Sequence, residues 1–205
     1  MKLKKEFYLR ENVVEIASDL IGKVLVSKTD NIYTSGIITE TEAYNGIYDR
    51  ACHAFNGRRT TRTEMMYSAG GTSYIYICYG IHHLFNIVTN KKDIPDAVLI
   101  RAVFPLDGME HMLKRRRKKN IDKTVAGGPG TVSQSMGIHV DLNGTSLFQN
   151  KIWIEDRSIP LEKTNIKITP RIGVESSKEA ALLPYRFVIP YTYFKELSSL
   201  NKYQR

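Results

Sequence analysis

Apolar side chains recur at helical spacing in ENVVEIASDLIG, at Val13, Val14, Ala17, Leu20 and Ile21, and Gly22 is placed to close that helix. KVLVSK and SGIITETEAY then read as two strands joined across a polar turn at Thr29 to Asn31. GIYDRACHAFNGRRTTRT keeps no period and reads as a long loop, a kind of segment that in compact domains is often functional. In TSYIYICYGIHHLFNIV the side chains alternate faces from Tyr74 to Cys78, turn at Tyr79-Gly80, and start a second apolar run at Ile81. This pattern predicts a hairpin with a large aromatic at its tip. AVLIRAVFPL is an apolar strand interrupted by Arg101, and LDGMEHMLKRRRKKN reads as a helix with Asp107 as N-cap and Glu110 at N3. GGPGTVSQSMGI has the form of a turn opening a short helix; KIWIED, NIKITPRIGV and RFVIPY read as later strands or extended segments. No repeat, low-complexity stretch or linker divides the chain. One α+β domain over residues 1–205, built on antiparallel strands, is the economical prediction.

Composition narrows the setting. The chain has 205 residues, 42% of them hydrophobic, enough for a core without disulfide or metal support. No window approaches the roughly 18 uncharged apolar residues of a membrane span, and the basic N-terminus lacks the apolar segment of a secretion signal. Cys52 and Cys78 make neither a disulfide framework nor a zinc pattern, which fits a reducing cytoplasm. A net charge of +9 fits a polyanionic partner, either nucleic acid or an anionic membrane surface, but it also fits a merely basic soluble protein. The cationic run Lys114 to Lys119 has two readings: a solvated helix end that suits the dipole, or a patch that meets phosphates.

The candidate chemistry lies elsewhere. The chain has no Walker A motif, dinucleotide fingerprint, HExxH or CxxC, and its five histidines lack metal-ligand spacing. In ETEAY, a strand puts Glu40, Glu42 and Tyr44 on one face and Thr41 and Ala43 on the other. Two acids on one face of an apolar strand belong either to an exposed polar face or to a partly dry pocket. In such a pocket a raised pKa makes a carboxylate a competent general base. Arg101, between Ile100 and Ala102, is either the buried charge that partners it or an ordinary surface arginine on a strand. Tyr44, Tyr74, Tyr76 and Tyr79, with His53, offer flat faces and hydrogen-bonding tips able to sandwich a planar heterocycle; they also serve as ordinary strand residues. Basic charge, carboxylate and aromatics together favour a nucleobase pocket over any of them taken alone.

ETEAY, RACHAFNGRRTTR, MMYSAGGTSYIYICYGIHHLFNIV and VLIRAVFPLDG, followed by GGPGTVSQSMGI, PRIGV and LPYRFVIP, resemble the alkyladenine or 3-methyladenine DNA glycosylase family, the non-helix-hairpin-helix type that excises damaged purines. The resemblance runs over nearly the whole chain in the family's order. It implies a single domain with a curved antiparallel sheet, flanking helices and a protruding hairpin. By position it makes Glu42 the general base that activates water and Arg101 the residue that helps orient that water. It places Tyr44, His53 and Tyr76 around the flipped base, and makes Asn86 the amide that discriminates among purines by clashing with a guanine 2-amino group. Tyr79 becomes the wedge inserted into the gap left by the flipped nucleotide, with Gly80 and Ile81 beside it. Gly130-Thr131 stands where a basic residue is expected, which puts a phosphate contact there in doubt, and Ile81, His82 and His83 follow the wedge.

The resemblance further implies a bacterial-type cytoplasmic enzyme, acting at the nucleoid as a monomer on double-stranded DNA with damaged purines. It implies no membrane, no obligatory protein partner, no metal and no organic cofactor. Arg58, Arg59 and Arg62, in the loop before the hairpin, are expected phosphate contacts. No lysine near these motifs offers a Schiff-base nucleophile, so hydrolysis without backbone cleavage is expected. The other readings are a non-catalytic nucleic-acid-binding protein and, more distantly, an enzyme acting on a nucleoside or an RNA base.

Overall fold

The structure, a computed structural model, describes residues 1–197 and 200–204. In chain order it begins with helices α1 (Lys5–Tyr8) and α2 (Val13–Leu20), then strands β1 (Val24–Thr29) and β2 (Ile32–Tyr44). The hairpin β3 (Ser73–Cys78) and β4 (His82–Thr89) follows, then β5 (Asp96–Asp107), α3 (Met109–Arg116) and α4 (Pro129–Met136). The chain closes with β6 (Ile152–Glu155), β7 (Lys167–Thr169), β8 (Arg186–Val188) and α5 (Tyr191–Glu196).

The strands form one antiparallel sheet in the order β3-β4-β5-β2-β1-β6, curled into a half-barrel. β2 is long enough to serve two neighbours on one edge: its first half pairs with β1, and Glu40 to Glu42 pair with β8, which carries β7 beyond it. Its other edge pairs with β5 from Ser35 to Tyr44. The core-facing side of this sheet buries Ile38, Phe85, Ile87, Val98 and Ile100 against Ile16, Ala17 and Leu20 of α2 and Val132 and Met136 of α4. Asn12 caps α2 by accepting the N–H groups of Val14 and Glu15, and Thr41 Oγ1 ties the helix to β2 by donating to Ala17 O at 2.8 Å. On the opposite side Phe104 of β5 packs on Tyr191 and Phe194 of α5, and the site lies at the other end of the strand pair, around Glu40 to Tyr44.

Two expectations about α3 are corrected. Asp107 does not cap the helix; it stays in β5, where its carboxylate accepts Ser35 Oγ and pairs with Arg157 at 2.9 Å. The cap is Gly108, at φ +68°, and a Cβ there would lie 2.3 Å from Tyr33 O, so the turn takes glycine and Glu110 falls one position nearer the helix start. Nor is the basic run simply a solvated end. Arg115 donates to Ser135 O at 2.9 Å and Arg116 to Val125 O at 3.0 Å, stapling α3 to α4 and the segment before it.

The long loop between β2 and β3 is organised by short 3-10 turns at Gly46–Tyr48, Phe55–Gly57 and Glu64–Tyr67. It builds a second apolar cluster, in which Cys52, Ala54, Met66 and Tyr67 pack with Tyr74, Val88 and Ala97. The hairpin tip projects away from both clusters: Tyr79 and Ile81 are 91% and 71% exposed.

Candidate active site

The alternation of β2 holds through ETEAY. Thr41 and Ala43 enter the core, and Glu40, Glu42 and Tyr44 face the other side of the sheet, both acids buried there. Across the strand pair, Ile38 opposes Val103, Glu40 opposes Ala102, and Thr41 opposes Ile100. Thr39 and Arg101 are therefore extra residues, one bulge on each strand, and a bulge re-aims a side chain. Arg101 reaches the acids: its Nε lies 2.8 Å from Glu40 Oε1 and 3.3 Å from Glu42 Oε1. Arg186 of β8 also donates to Glu40 Oε1, at 2.7 Å.

Glu42 is 0% exposed, and three kinds of donor answer its charge. Besides Arg101, the Ile172 N–H donates to Oε1 at 2.8 Å and the Tyr44 hydroxyl to Oε2 at 2.9 Å. Burial raises its pKa above the ordinary carboxylate value, against the opposing pull of Arg101, Ile172 and Tyr44. A carboxylate in this condition is a stronger base than an exposed one. Tyr44 in turn has a hydroxyl pKa well above normal, through burial and the neighbouring Glu42 charge, so it serves as a donor.

Two cavities meet at this carboxylate's strand. A chamber of about 110 Å³ is lined by Tyr44, His53, Tyr76 and Asn86, with Cys52 and Val174. An outer cleft of about 390 Å³ shares Tyr44 and Tyr76 with the chamber, and adds Tyr79, Arg101, Gly130 and Ile172. His53 Nδ1 and the Tyr74 hydroxyl lie 2.9 Å apart, and the His53 ring meets Tyr76 edge-on at 4.7 Å. Burial and the nearby Arg62 and Arg58 push the His53 pKa down to about 4, so its imidazole is neutral at physiological pH. Asn86 is buried, and its amide nitrogen donates to Tyr74 O and Leu84 O, which fixes the side chain. Among the described residues no cluster of three His, Cys, Asp or Glu side chains could hold a metal ion.

The hairpin and the arginine loop flank the cleft. Tyr79 and Gly80 form the turn at φ +50° and +73°; a Cβ on Gly80 would meet no atom within 4 Å. A tyrosine in the left-handed region is a strained choice for a bare surface turn. The three arginines differ. Arg59 is paired with Glu64 at 2.6 Å and Asp93 at 3.0 Å, and Arg62 lies 4.9 Å from the Tyr76 ring centroid at the chamber wall. Arg58 is exposed and makes no ion pair among the described residues.

Several residues of the site escaped the sequence reading. Ile172 contributes a backbone N–H, which no side-chain pattern reveals, and Arg186 joins Glu40 from a strand of three residues. Arg171 and Asp49 form a fully buried ion pair behind Tyr44. The only available signal was a charged residue beside Pro170 and another in a loop, and neither distinguishes a buried partner from a solvated one.

Comparison with known proteins bears on this geometry as a whole. The family model for methylpurine-DNA glycosylase matches residues 6–192. A relative from Chlamydia abortus, provisionally named 3-methyladenine DNA glycosylase, is 44% identical over 188 residues, covering 91% of this chain and 97% of that one. A relative from Clostridium perfringens strain 13, provisionally given the same name, is 39% identical over 197 residues, covering 92% and 96%. A sheet carrying a buried acid, an aromatic chamber and a projecting hairpin thus occurs in a chain that belongs to the methylpurine-DNA glycosylase family, a family of hydrolases of the N-glycosidic bond in DNA.

Proposed function

We propose that this glycosylase turns alkylated or deaminated purines out of duplex DNA into the chamber and hydrolyses the glycosidic bond with a water activated by Glu42, leaving an abasic site. The observation that carries this reading is the Glu42 carboxylate, excluded from solvent yet held by Arg101, Tyr44 and the Ile172 N–H beside the cleft. A groove that only bound DNA would have no use for a desolvated carboxylate held behind the wall of its cleft.

Extruding a base costs a few kcal/mol, least for a lesion that pairs poorly. Tyr79, projecting at the mouth of the cleft, is the wedge that stacks in the gap, with Gly80 and Ile81 beside it on the DNA. In the chamber, Tyr44 and Tyr76 supply π faces, which favour a cationic N-alkylpurine by roughly 0.5 to 2 kcal/mol. The neutral imidazole of His53 adds hydrogen bonding without repelling that cation. The clamped Asn86 amide cannot move aside for a guanine 2-amino group, which makes it the wall that spares normal guanine. As positive charge grows on the sugar, Glu42 takes a proton from the water that attacks C1′, and Arg101 holds carboxylate and water in line. A neutral lesion such as hypoxanthine also needs a proton on the departing base.

Product analysis tests this reading. Incubation with an alkylated duplex should release free 3-methyladenine, with or without EDTA, and leave an intact backbone that breaks only on alkali treatment. Borohydride should trap no protein–DNA adduct. A strong adduct, or cleaved strands without alkali, would overturn the hydrolytic reading.

A further inference from the structure

Of the donors that hold Glu42, one belongs to a loop instead of the sheet. The Ile172 N–H reaches Glu42 Oε1 at 2.8 Å, but the Ile172 side chain is 48% exposed and anchors nothing. The anchor is the residue before it. The Arg171 side chain is fully buried and forks onto Asp49, with Nη2 donating to Oδ1 at 2.8 Å and Nη1 donating to Oδ2. The same two nitrogens also donate to Ala43 O at 2.8 Å and Ala180 O at 3.1 Å, while the buried Nε–H has no hydrogen-bond partner among the described residues. Asp49 in turn accepts the N–H groups of Asn45 and Ala51. One guanidinium thus ties the end of β2, the loop after it, the turn at 171–173 and the turn that ends near Ala180. It also lies 4.8 Å from the ring centroid of Tyr44, whose hydroxyl holds the other oxygen of Glu42.

A buried ion pair is a poor source of stability, since the cost of desolvating both charges rivals their attraction. Its four-way connection gives it a positional role. We propose that the Arg171–Asp49 pair is a positioning device for hydrolysis: it fixes the 171–173 turn so that the Ile172 N–H stays on Glu42, and it props the Tyr44 ring that reaches the same carboxylate. This inference rests on the reading of Glu42 as the general base. Arg171 and Asp49 touch neither cavity, so they act only through Glu42 and Tyr44.

Losing the Ile172 bond removes a donor that favours the charged carboxylate, so the acid limb of the rate profile moves to higher pH, by roughly one unit for one backbone bond. The test is the pH profile of single-turnover 3-methyladenine release, read with Asp49→Asn and with an amide-to-ester replacement that removes only the residue 172 N–H. Both should shift the acid limb upward by about one pH unit, a roughly tenfold lower rate at a fixed acidic pH. Binding of the lesion duplex should change less than about threefold, well under one tenfold step in affinity. Where Asp49→Asn does not fold, Asp49→Glu, which keeps the charge but displaces the fork, takes its place with a shift of the same sign. An acid limb unmoved in a folded Asp49 variant, or in the ester protein, overturns the proposal. The Glu42→Gln control separates the two readings: if it stays active, the general-base reading itself fails, whereas an inactive control with an unmoved limb refutes only the positioning role.

Discussion

A carboxylate without solvent persists only where its charge is answered, and at Glu42 the answer comes from β5, from the tyrosine two residues on, and from a distant loop. Two of these were legible in the chain, because strand alternation puts Tyr44 on the face of Glu42 and an arginine inside an apolar strand asks for a partner. The third was not, since a backbone N–H carries no residue identity. Asp107 shows the converse: an acid before Gly-Met-Glu has the look of a cap, yet Ser35 and Arg157, distant in sequence, hold it in the strand. His53 gives a prediction at this scale. Its folded pKa of about 4 lies below the ordinary 6.5, so between those values the unfolded chain takes a proton that the folded chain refuses. Stability should therefore fall as pH drops from about 6.5 to 4, by at most about 3 kcal/mol from this residue. Thermal melts across that range should be flatter for His53→Gln than for the wild type.

Among the elements, the β3–β4 hairpin was the most legible. Its period-two alternation and Tyr-Gly turn place both strands and the exposed tip where the structure has them. The bulges at Thr39 and Arg101 were not readable, because they arise from the registers of two strands some sixty residues apart. Those bulges nevertheless aim Arg101 at both acids. The wedge role proposed for the hairpin tip makes a prediction at this scale. Tyr79→Ser should slow release of a well-paired lesion such as 7-methylguanine more than release of one that pairs poorly, because the wedge matters most where extrusion costs most. Parallel single-turnover assays on the two duplexes check this; equal losses would return Tyr79 to an ordinary exposed aromatic.

At the scale of the whole molecule, composition suited a polyanionic partner or a merely basic protein and patterning indicated one α+β domain, but neither fixed the strand order. β2 takes β5 and β8 as neighbours through contacts that no local pattern encodes. Nor does a charge of +9 say which cations are free. Arg59 is spent on Glu64 and Asp93, and Arg115 on Ser135, while Arg58 remains open to solvent beside the site. Arg58→Gln should reduce the slope of log binding constant against log salt by about 0.9 on duplex DNA of any sequence. Arg115→Gln should leave that slope unchanged and lower the melting temperature. Fluorescence anisotropy at several salt concentrations distinguishes the two.

The proposed hydrolysis depends on Glu42, and the most direct measurement sets wild type and Glu42→Gln side by side in single-turnover release of 3-methyladenine from alkylated duplex, with binding to the same duplex measured in parallel. Removing a general base should cost at least about 100-fold in release while lesion binding stays within a few-fold. Release by Glu42→Gln at close to the wild-type rate would mean that Glu42 is not the general base.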